Sequence, residues 1–264
     1  MAKQDDASFF DSIGAWKTDL LRLHSRARAL VKKARRRLSR GQSLRFHQAL
    51  IKEGDLVFDI GANVGDMTGL YLELGARVLA AEPQEACVRI LEKRFGRNPR
   101  VSIIPMAVGS AGGKHELMLS DIRSPISSMS RRWIAAVKSS GRFPYYEWSR
   151  SVAVPVTTLD SLIAQYGEPD FCKIDVEGFE QKVLEGLSCP LKRLSFEFHA
   201  EFLPEAFACL KLLRGLGEYR FNYTLENRPA FESARSLDED EIYSRLRSLP
   251  YTSLQGDVYA RHEG

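Results

Sequence analysis

The 264-residue sequence lacks the long apolar runs that membrane proteins carry and the leader that secreted proteins carry. Nothing in it approaches the roughly 18 consecutive apolar residues of a membrane-spanning helix. Its opening residues, MAKQDDASFFDSIG, have no basic start followed by an apolar stretch and a small-residue cleavage site, so no secretory signal is visible. With 44% hydrophobic and 27% charged residues the composition is that of a globular protein, and we expect it in the cytoplasm.

Cysteine is scarce and poorly placed for cross-links or for metal. The four cysteines stand at positions 87, 172, 189 and 209, with no C-x-x-C pair and no histidine at zinc-finger spacing. We therefore expect reduced thiols, and neither a disulfide framework nor a structural zinc site.

Three signatures of nucleotide or nucleic-acid chemistry are also missing. In DIGANVG the glycines are Gly61 and Gly65, and Asn63 stands where G-x-G-x-x-G needs its second glycine, which argues against NAD. No G-K-[ST] follows this loop, which excludes a Walker site. The N/D-P-P-Y/F tetrad expected where a base amine is methylated is absent as well, so we do not expect a nucleic-acid substrate.

Charge is spread unevenly along the chain. Residues 17–45 contain 11 Lys or Arg and one acid, a net charge of +10, and subtracting this from the chain's +4 leaves −6 for the remainder. Apolar residues at steps of three and four predict a basic amphipathic helix there, ending near Gly41. We divide the chain into a helical extension, 1–50, and a globular domain, 51–264. The extension would be suited to binding nucleic acid, an anionic membrane surface or an acidic partner. Alternatively, its apolar stripe would pack on the domain or on a second subunit of a homo-oligomer.

From residue 54, short apolar runs alternate with helical periods, which predicts a doubly wound α/β domain. Strands are predicted at 55–60, 77–83, 101–108, 170–175, 191–199, and near 220–227 and 256–262. Helices are predicted at 66–74, 85–95, 159–167, 178–187 and 238–249.

Residues 109–158 interrupt this rhythm and are predicted to be an insertion at the mouth of the site. Two predicted strands, 115–120 and 151–159, flank a segment rich in Ser, Arg and aromatic residues. This segment suits contact with a carbohydrate or polyketide-like acceptor, and it suits an interface equally well. The side chains concerned are Arg131, Arg132, Trp133, Tyr145, Tyr146 and Trp148.

Five motifs together resemble one known family. VFDIGANVGDMT, AAEPQ, VPVTTLDSL, KIDVEGFEQKVLEGL and SFEFH, in this order, resemble the FkbM family of S-adenosylmethionine-dependent methyltransferases over about residues 54–200. The resemblance implies S-adenosylmethionine as cofactor. It also implies the Rossmann-like class I methyltransferase fold, a mostly parallel seven-stranded sheet whose last strand is antiparallel.

The resemblance places the cofactor on the turn after the first strand. The turn residues that it implies for the methionine portion are Asp59, Gly61, Ala62, Asn63 and Gly65. Glu82 ends the second strand about twenty residues beyond Gly61, where an acid accepts hydrogen bonds from both ribose hydroxyls; the alternative is a solvated strand-end carboxylate. Met106 and Ala107 would lie beside the adenine, although Met106 offers only apolar contact where many class I enzymes have Asp or Asn.

Acidic residues follow the predicted fourth strand, and an acidic residue and a histidine lie near the end of the predicted fifth strand. Asp175 and Glu177 follow the fourth, while Glu197 and His199 alternate on the fifth and share one face, bordering the cleft of an open α/β sheet. Methyl transfer to a hydroxyl needs an aligned nucleophile and a proton acceptor. We predict Asp175, Glu177 and His199 as catalytic, His199 because its ordinary pKa is nearest neutrality.

Structural alternatives stay open for each of these side chains. Asp175 would order the cofactor, Glu177 would cap the next helix, Glu197 would be a paired buried carboxylate and His199 would be structural. The group also permits a divalent cation, but we predict no metal.

The favoured hypothesis is an O-methyltransferase acting on a hydroxyl of a small molecule, sugar or glycan. The alternative is a protein that binds nucleic acid or an anionic membrane surface through the basic extension and retains the cofactor fold. An NAD-linked oxidoreductase ranks last, because of Asn63.

Overall fold

The computed structural model describes residues 40–120, 126–226, 228–250 and 254–264. It divides the chain into two units, Met1–Phe46 and His47–Gly264. In the first unit residues 40–46 are helical, so Gly41 lies within a helix, where the sequence predicts an end. The rest of the predicted basic helix, 17–39, lies outside the described residues.

The second unit is built on a seven-stranded sheet in the order β3-β2-β1-β7-β8-β10-β9. Every neighbouring pair is parallel except those of β10, which runs antiparallel to both β8 and β9. The predicted fold class, including the antiparallel last strand, is confirmed. The strands are β1 Leu56–Ile60, β2 Arg77–Ala81, β3 Val101–Ile104, β7 Phe171–Ile174, β8 Arg193–His199, β9 Tyr219–Tyr223 and β10 Gln255–His262.

Helices connect these strands and cover the sheet. They are α1 Asp66–Glu73, α2 Glu85–Phe95, α3 Arg131–Ser140, α4 Leu159–Tyr166, α5 Glu180–Leu184, α6 Leu203–Leu216 and α7 Glu239–Arg247. Since parallel strands are covered on both faces, they read as nearly continuous apolar runs. All residues of β1 and β7 are buried. Two of them are charged instead of apolar, Asp59 and Lys173, and these two are direct register partners.

The predicted third strand is wrong at its end. It stops at Ile104, and Ala107–Val108 form a separate short strand, β4, in a second sheet ordered β4-β6-β5. Pro105 lies between the two, and proline has no N–H to donate to a sheet ladder. The other members of the second sheet, β5 Gly113–Leu119 and β6 Arg150–Thr157, are the predicted strands of the insertion and pair antiparallel.

Two helices were not predicted. In the insertion, α3 begins after Ser130, whose side chain accepts the N–H of Trp133 at 3.1 Å, and it ends at Gly141 in the left-handed conformation. After β8, α6 has Pro204 in its first turn, where the missing N–H costs no helical hydrogen bond. Both helices begin with an ordinary start signal, the capping Ser130 in α3 and Pro204 in α6. The prediction did not use either signal.

Among the described residues, no helix is both long enough and apolar enough to cross a bilayer.

A buried ion pair ties the insertion to the sheet. The guanidinium of Arg142 forms a bidentate pair with Glu201, and its Nη1 donates to Gln255 Oε1 at 2.8 Å. The paired side chains are only 8% and 2% exposed. A buried carboxylate without its partner is costly, because no water replaces the lost contact.

We expect Arg142→Met to lower the free energy of unfolding by about 3–5 kcal/mol, since it strands the Glu201 charge. The matched control is Arg89→Met, whose pair with Glu85 is largely exposed, and it should cost below about 1 kcal/mol. Denaturant titration of both variants measures the difference. Equal small losses would show that Arg142 and Glu201 do not stabilise the fold.

Candidate active site

A cavity of about 480 Å³ lies at the carboxyl ends of β1, β2 and β7. The sheet order reverses between β1 and β7, which is where open α/β sheets form their ligand crevice. Two predicted site residues, Gly65 and His199, are not part of its lining. The nine that line it are Asp59, Gly61, Ala62, Asn63, Glu82, Met106, Ala107, Asp175 and Glu177.

The turn after β1 passes unusually close to the turn after β7. Gly61 has a φ of 84°, and a Cβ there would lie 1.8 Å from the carbonyl oxygen of Asp175. Only glycine fits, because both the positive φ and the close approach exclude a side chain. Gly65 also has a positive φ, but it serves packing: a Cβ there would lie 2.6 Å from Leu91 and 2.7 Å from Phe95.

Glu82 closes the first turn from the end of β2. One carboxylate oxygen accepts the N–H of Asn63 at 2.9 Å, and the other accepts the N–H of Gln84 at 2.8 Å. Burial raises the pKa of Glu82 to about 7. Each oxygen has a further lone pair, so the carboxylate can also accept hydroxyl groups from the cavity.

Lys173 is a buried cation in the centre of the site. Its ammonium lies 2.5 Å from Asp175 Oδ2. Burial lowers the pKa of Lys173, but the charges of Asp175, Asp257 and Asp59 outweigh burial and raise it. Burial alone would raise the pKa of Asp175, yet Lys173 holds it below its ordinary value. Lys173 is therefore a fixed cation and Asp175 a fixed anion.

Glu177 occupies a strained turn at the rim of the cavity. Its φ is 54°, and its carbonyl accepts the hydroxyl of Ser128 at 2.6 Å. It does not cap the next helix: α5 begins at Glu180, whose carboxylate accepts the N–H groups of Val176 and Gly178. Burial, followed by the negative charge of Asp175, raises the pKa of Glu177 well above its ordinary range.

His199 lies behind the carboxylates and is 4% exposed. Its Nε2 is 3.9 Å from Glu177 Oε2 and 3.8 Å from Glu197 Oε2. Its Nδ1 accepts the indole N–H of Trp133 at 3.2 Å. Burial, followed by the charge of Arg142, lowers the pKa of His199 to about 4, so the ring is neutral at pH 7.

Glu177, Glu197 and His199 also form the kind of group that can hold a metal ion. Each offers one ligand atom, and these atoms lie within 4.8 Å of one another. Glu197 Oε2 is buried and has no hydrogen-bond partner within the described structure. The expectation that the site needs no metal stays a prediction.

Several residues of this site were not predicted. Gln255, Lys173, Ser127 and Met129 line the cavity without having been predicted, whereas Glu197, which was predicted to border the cleft, does line it. Lys173 could have been found from the sequence, because a lysine inside the apolar run FCKI is buried only when paired. Gln255 and the insertion residues had no such signal, because only tertiary contacts bring them to the cavity.

Sequence comparison assigns this site to a family. The family profile described as Methyltransferase FkbM domain matches residues 59–237, more than half of the chain. The chain belongs to the FkbM methyltransferase family. This confirms the resemblance inferred from the motifs.

The similar proteins are methyltransferases of several kinds. A hexuronic acid methyltransferase, AglP of Haloferax volcanii, is 26% identical over 58% of this chain and 60% of its own length. A probable ribosomal RNA small subunit methyltransferase A of Methanococcoides burtonii is 38% identical, over 22% of each chain. The precorrin-6y C5,15-methyltransferase structure from Geobacter metallireducens has a TM-score of 0.46 at 10% identity, covering 85% of this chain and 86% of that one. The chain thus spans less than two thirds of these curated relatives.

S-adenosylmethionine is the cofactor that the family and the fold imply. The residues present fit it. The cavity volume is within the range of about 300–1,000 Å³ usual for small ligands. Gly61 keeps the turn free of side chains, Glu82 offers a buried acceptor for the ribose, and Met106 and Ala107 offer apolar contact.

We expect S-adenosylhomocysteine to bind more tightly as the pH rises through about 7. Glu82 is expected to accept both ribose hydroxyls as a carboxylate, and its raised pKa of about 7 would leave about a tenth of the side chain ionised at pH 6 and about nine tenths at pH 8. Calorimetry should therefore give about tenfold higher affinity at pH 8. Glu82→Gln should bind weakly at both values. A wild-type affinity that is equal at the two pH values would contradict this role.

Proposed function

We propose that the protein is an S-adenosylmethionine-dependent O-methyltransferase that methylates a hydroxyl of a sugar or glycan. The observation that carries this proposal is the group of cavity-lining carboxyls, Asp175, Glu177 and Glu197, which come from β8 and the turn after β7, across β1 from Glu82. A hydroxyl is too weak an acid to react without a proton acceptor, and carboxylates are such acceptors.

The cofactor supplies an electrophilic methyl group when it is bound. The chain's own residues hold it and receive the proton. Glu82 and the backbone of the Gly61 turn hold the nucleoside side, and the Lys173–Asp175 pair supplies fixed charges beside the turn. The insertion adds Ser127 and Met129 to the cavity lining, and Ser127 donates to Gln84 beside Glu82, so it supports the nucleoside side.

Among the three carboxyls, Glu177 is the best candidate for the base. Asp175 is neutralised by Lys173, and its lowered pKa makes it a weak base. Glu177 is the more exposed of the other two, at 18% against 12% for Glu197. Its raised pKa makes its ionised form a stronger base, and the ionised fraction increases with pH.

The sugar acceptor is supported by one relative. AglP carries the name hexuronic acid methyltransferase and aligns with more than half of this chain. The ribosomal RNA methyltransferase relatives match much shorter stretches, but they make RNA a necessary member of any acceptor panel.

The test is transfer of radiolabelled methyl groups from S-adenosylmethionine to a panel of methyl glycosides, uronic acids and RNA. We expect labelling of a sugar hydroxyl, with a rate that increases with pH as Glu177 ionises. Glu177→Gln should lower kcat on the order of 10²–10⁴-fold, because an amide accepts no proton.

The matched control is Glu205→Gln, an acid outside the lining of this cavity. It should leave the rate near that of wild type. Labelling of RNA alone, or an unchanged rate in Glu177→Gln, would overturn the proposal.

A further inference from the structure

We propose that Trp133 holds His199 in the neutral tautomer with its proton on Nε2, so that His199 positions Glu177 and Glu197 as a hydrogen-bond donor. His199 is then neither the catalytic base nor a metal ligand. The consequence for catalysis rests on the proposed function, but the tautomer does not.

The tautomer follows from the chemistry of the indole. Trp133 Nε1 carries one hydrogen and cannot accept a hydrogen bond, and it lies 3.2 Å from His199 Nδ1. Nδ1 must therefore present its lone pair. A neutral imidazole with an accepting Nδ1 carries its proton on Nε2.

The proton on Nε2 is directed between the two glutamates. Nε2 lies 3.9 Å from Glu177 Oε2 and 3.8 Å from Glu197 Oε2, and the latter oxygen has no hydrogen-bond partner among the described residues. Both distances are longer than a hydrogen bond, but catalytic hydrogen bonds are often long without substrate and shorten in the complex. A donor in this position restrains both carboxyls.

The two competing roles need a lone pair on Nε2. A base would accept a proton there, and a metal ion would bind there, since Nε2 is the nitrogen near both carboxylates. Either role moves the imidazole proton to Nδ1, where it would face the indole hydrogen of Trp133. His199 is also not part of the cavity lining, so an acceptor hydroxyl meets the carboxyls first.

The packing of Trp133 makes this contact rigid. The indole is fully buried, and it packs edge to face on His199 at 5.3 Å and on Trp148 at 6.1 Å between ring centroids. A Cβ on Gly178, whose φ is 84°, would lie 2.3 Å from Trp133 Cβ. The glycine of the KIDVEGFE motif thus makes room for the tryptophan.

Burial favours the neutral form of the ring, while the charged groups around it act in both directions: Arg142 lowers the pKa of His199, and Glu201 and Asp175 raise it. Lys173 belongs to β7, Asp175 and Glu177 to the turn after it, and Glu180 to the following helix. Glu197 belongs to β8 and Asp257 to β10, while Arg142 and Glu201 approach from the insertion and from the turn after β8. Burial is the largest of these effects on His199. The lowered pKa of His199, about 4, agrees with this.

The tautomer can be read directly by long-range ¹H–¹⁵N correlation spectra of the full chain labelled at histidine. The His199 signals, assigned by their loss in His199→Gln, should show the Nε2–H pattern unchanged between pH 6 and pH 8. Trp133→Phe removes the donor and should give a mixture of tautomers. Trp148→Phe, which removes an indole that donates to Ile126 instead, should keep the wild-type pattern.

An Nδ1–H or doubly protonated ring in the wild type would overturn the proposal, and His199→Gln is the one variant that this reading needs, for the assignment. An unchanged pattern in a folded Trp133→Phe would show that something else selects the tautomer.

Kinetics with the acceptor methylated in the panel separate positioning from base catalysis. His199→Gln keeps an N–H donor but cannot act as a base, so kcat should stay within about tenfold of wild type, whereas His199→Ala should fall clearly below it. A true base would lose on the order of 10²–10⁴-fold in both. Neither EDTA nor added Mg²⁺, Mn²⁺ or Zn²⁺ should change the wild-type rate, and a metal requirement would refute the inference. If no acceptor is methylated at all, the proposed function fails, while the spectra still decide the tautomer.

Discussion

The site depends on one buried cation, Lys173, standing among Asp59, Asp175 and Asp257. Removing an isolated charge from water costs several kcal/mol, and this cost is offset only where opposite charges and hydrogen bonds surround it. Register places Asp59 on β1 directly beside Lys173 on β7, and Thr68 donates to Asp59 at 2.6 Å from the first turn of α1. The contacts that stabilise the buried charge of Lys173 therefore also join β1 and β7, the two strands between which the sheet order reverses.

The insertion is as much a part of the site as the sheet is. Ser127 donates to Gln84 beside Glu82, and Ser128 donates to the carbonyl of Glu177. Trp133 contacts His199, and Arg142 reaches Glu201 and Gln255. An insertion that makes all these contacts orders both the cofactor end and the acceptor end of the cavity. It therefore does more than cover the cavity mouth.

The sheet could be predicted from the sequence because buried parallel strands carry a strong local signal. The predicted ends of β1, β2, β7 and β8 lie within one or two residues of the observed ends, and the position of Glu82 at the end of the second strand followed from its spacing to Gly61. The prediction failed at Pro105, where a continuous apolar run hides a change of sheet. It also missed α3, which lies in the insertion, and α6, although buried residues of α6 recur at helical spacing at Ala206, Cys209, Leu210 and Leu213. Trp133 and Gly178 lie 45 residues apart along the chain. Their contact is tertiary, and no local sequence pattern predicts it.

The two turns that border the cavity hold most of the backbone strain. Among the described residues, Asn63, Glu177 and Glu226 are the non-glycine positions with positive φ, and the first two lie on these turns. Such a conformation costs about 1–3 kcal/mol and persists only where the surroundings fix it.

Here the surroundings are specific contacts. Glu82 holds the N–H of Asn63, Ser128 holds the carbonyl of Glu177, and the two turns touch through Gly61 and the Asp175 carbonyl. Because the turns meet backbone to backbone, a shift of one must move the other. The turn proposed to hold the cofactor and the turn proposed to accept the proton are thus held at a fixed separation before any ligand binds, which is the preorganisation that the proposed methyl transfer would require.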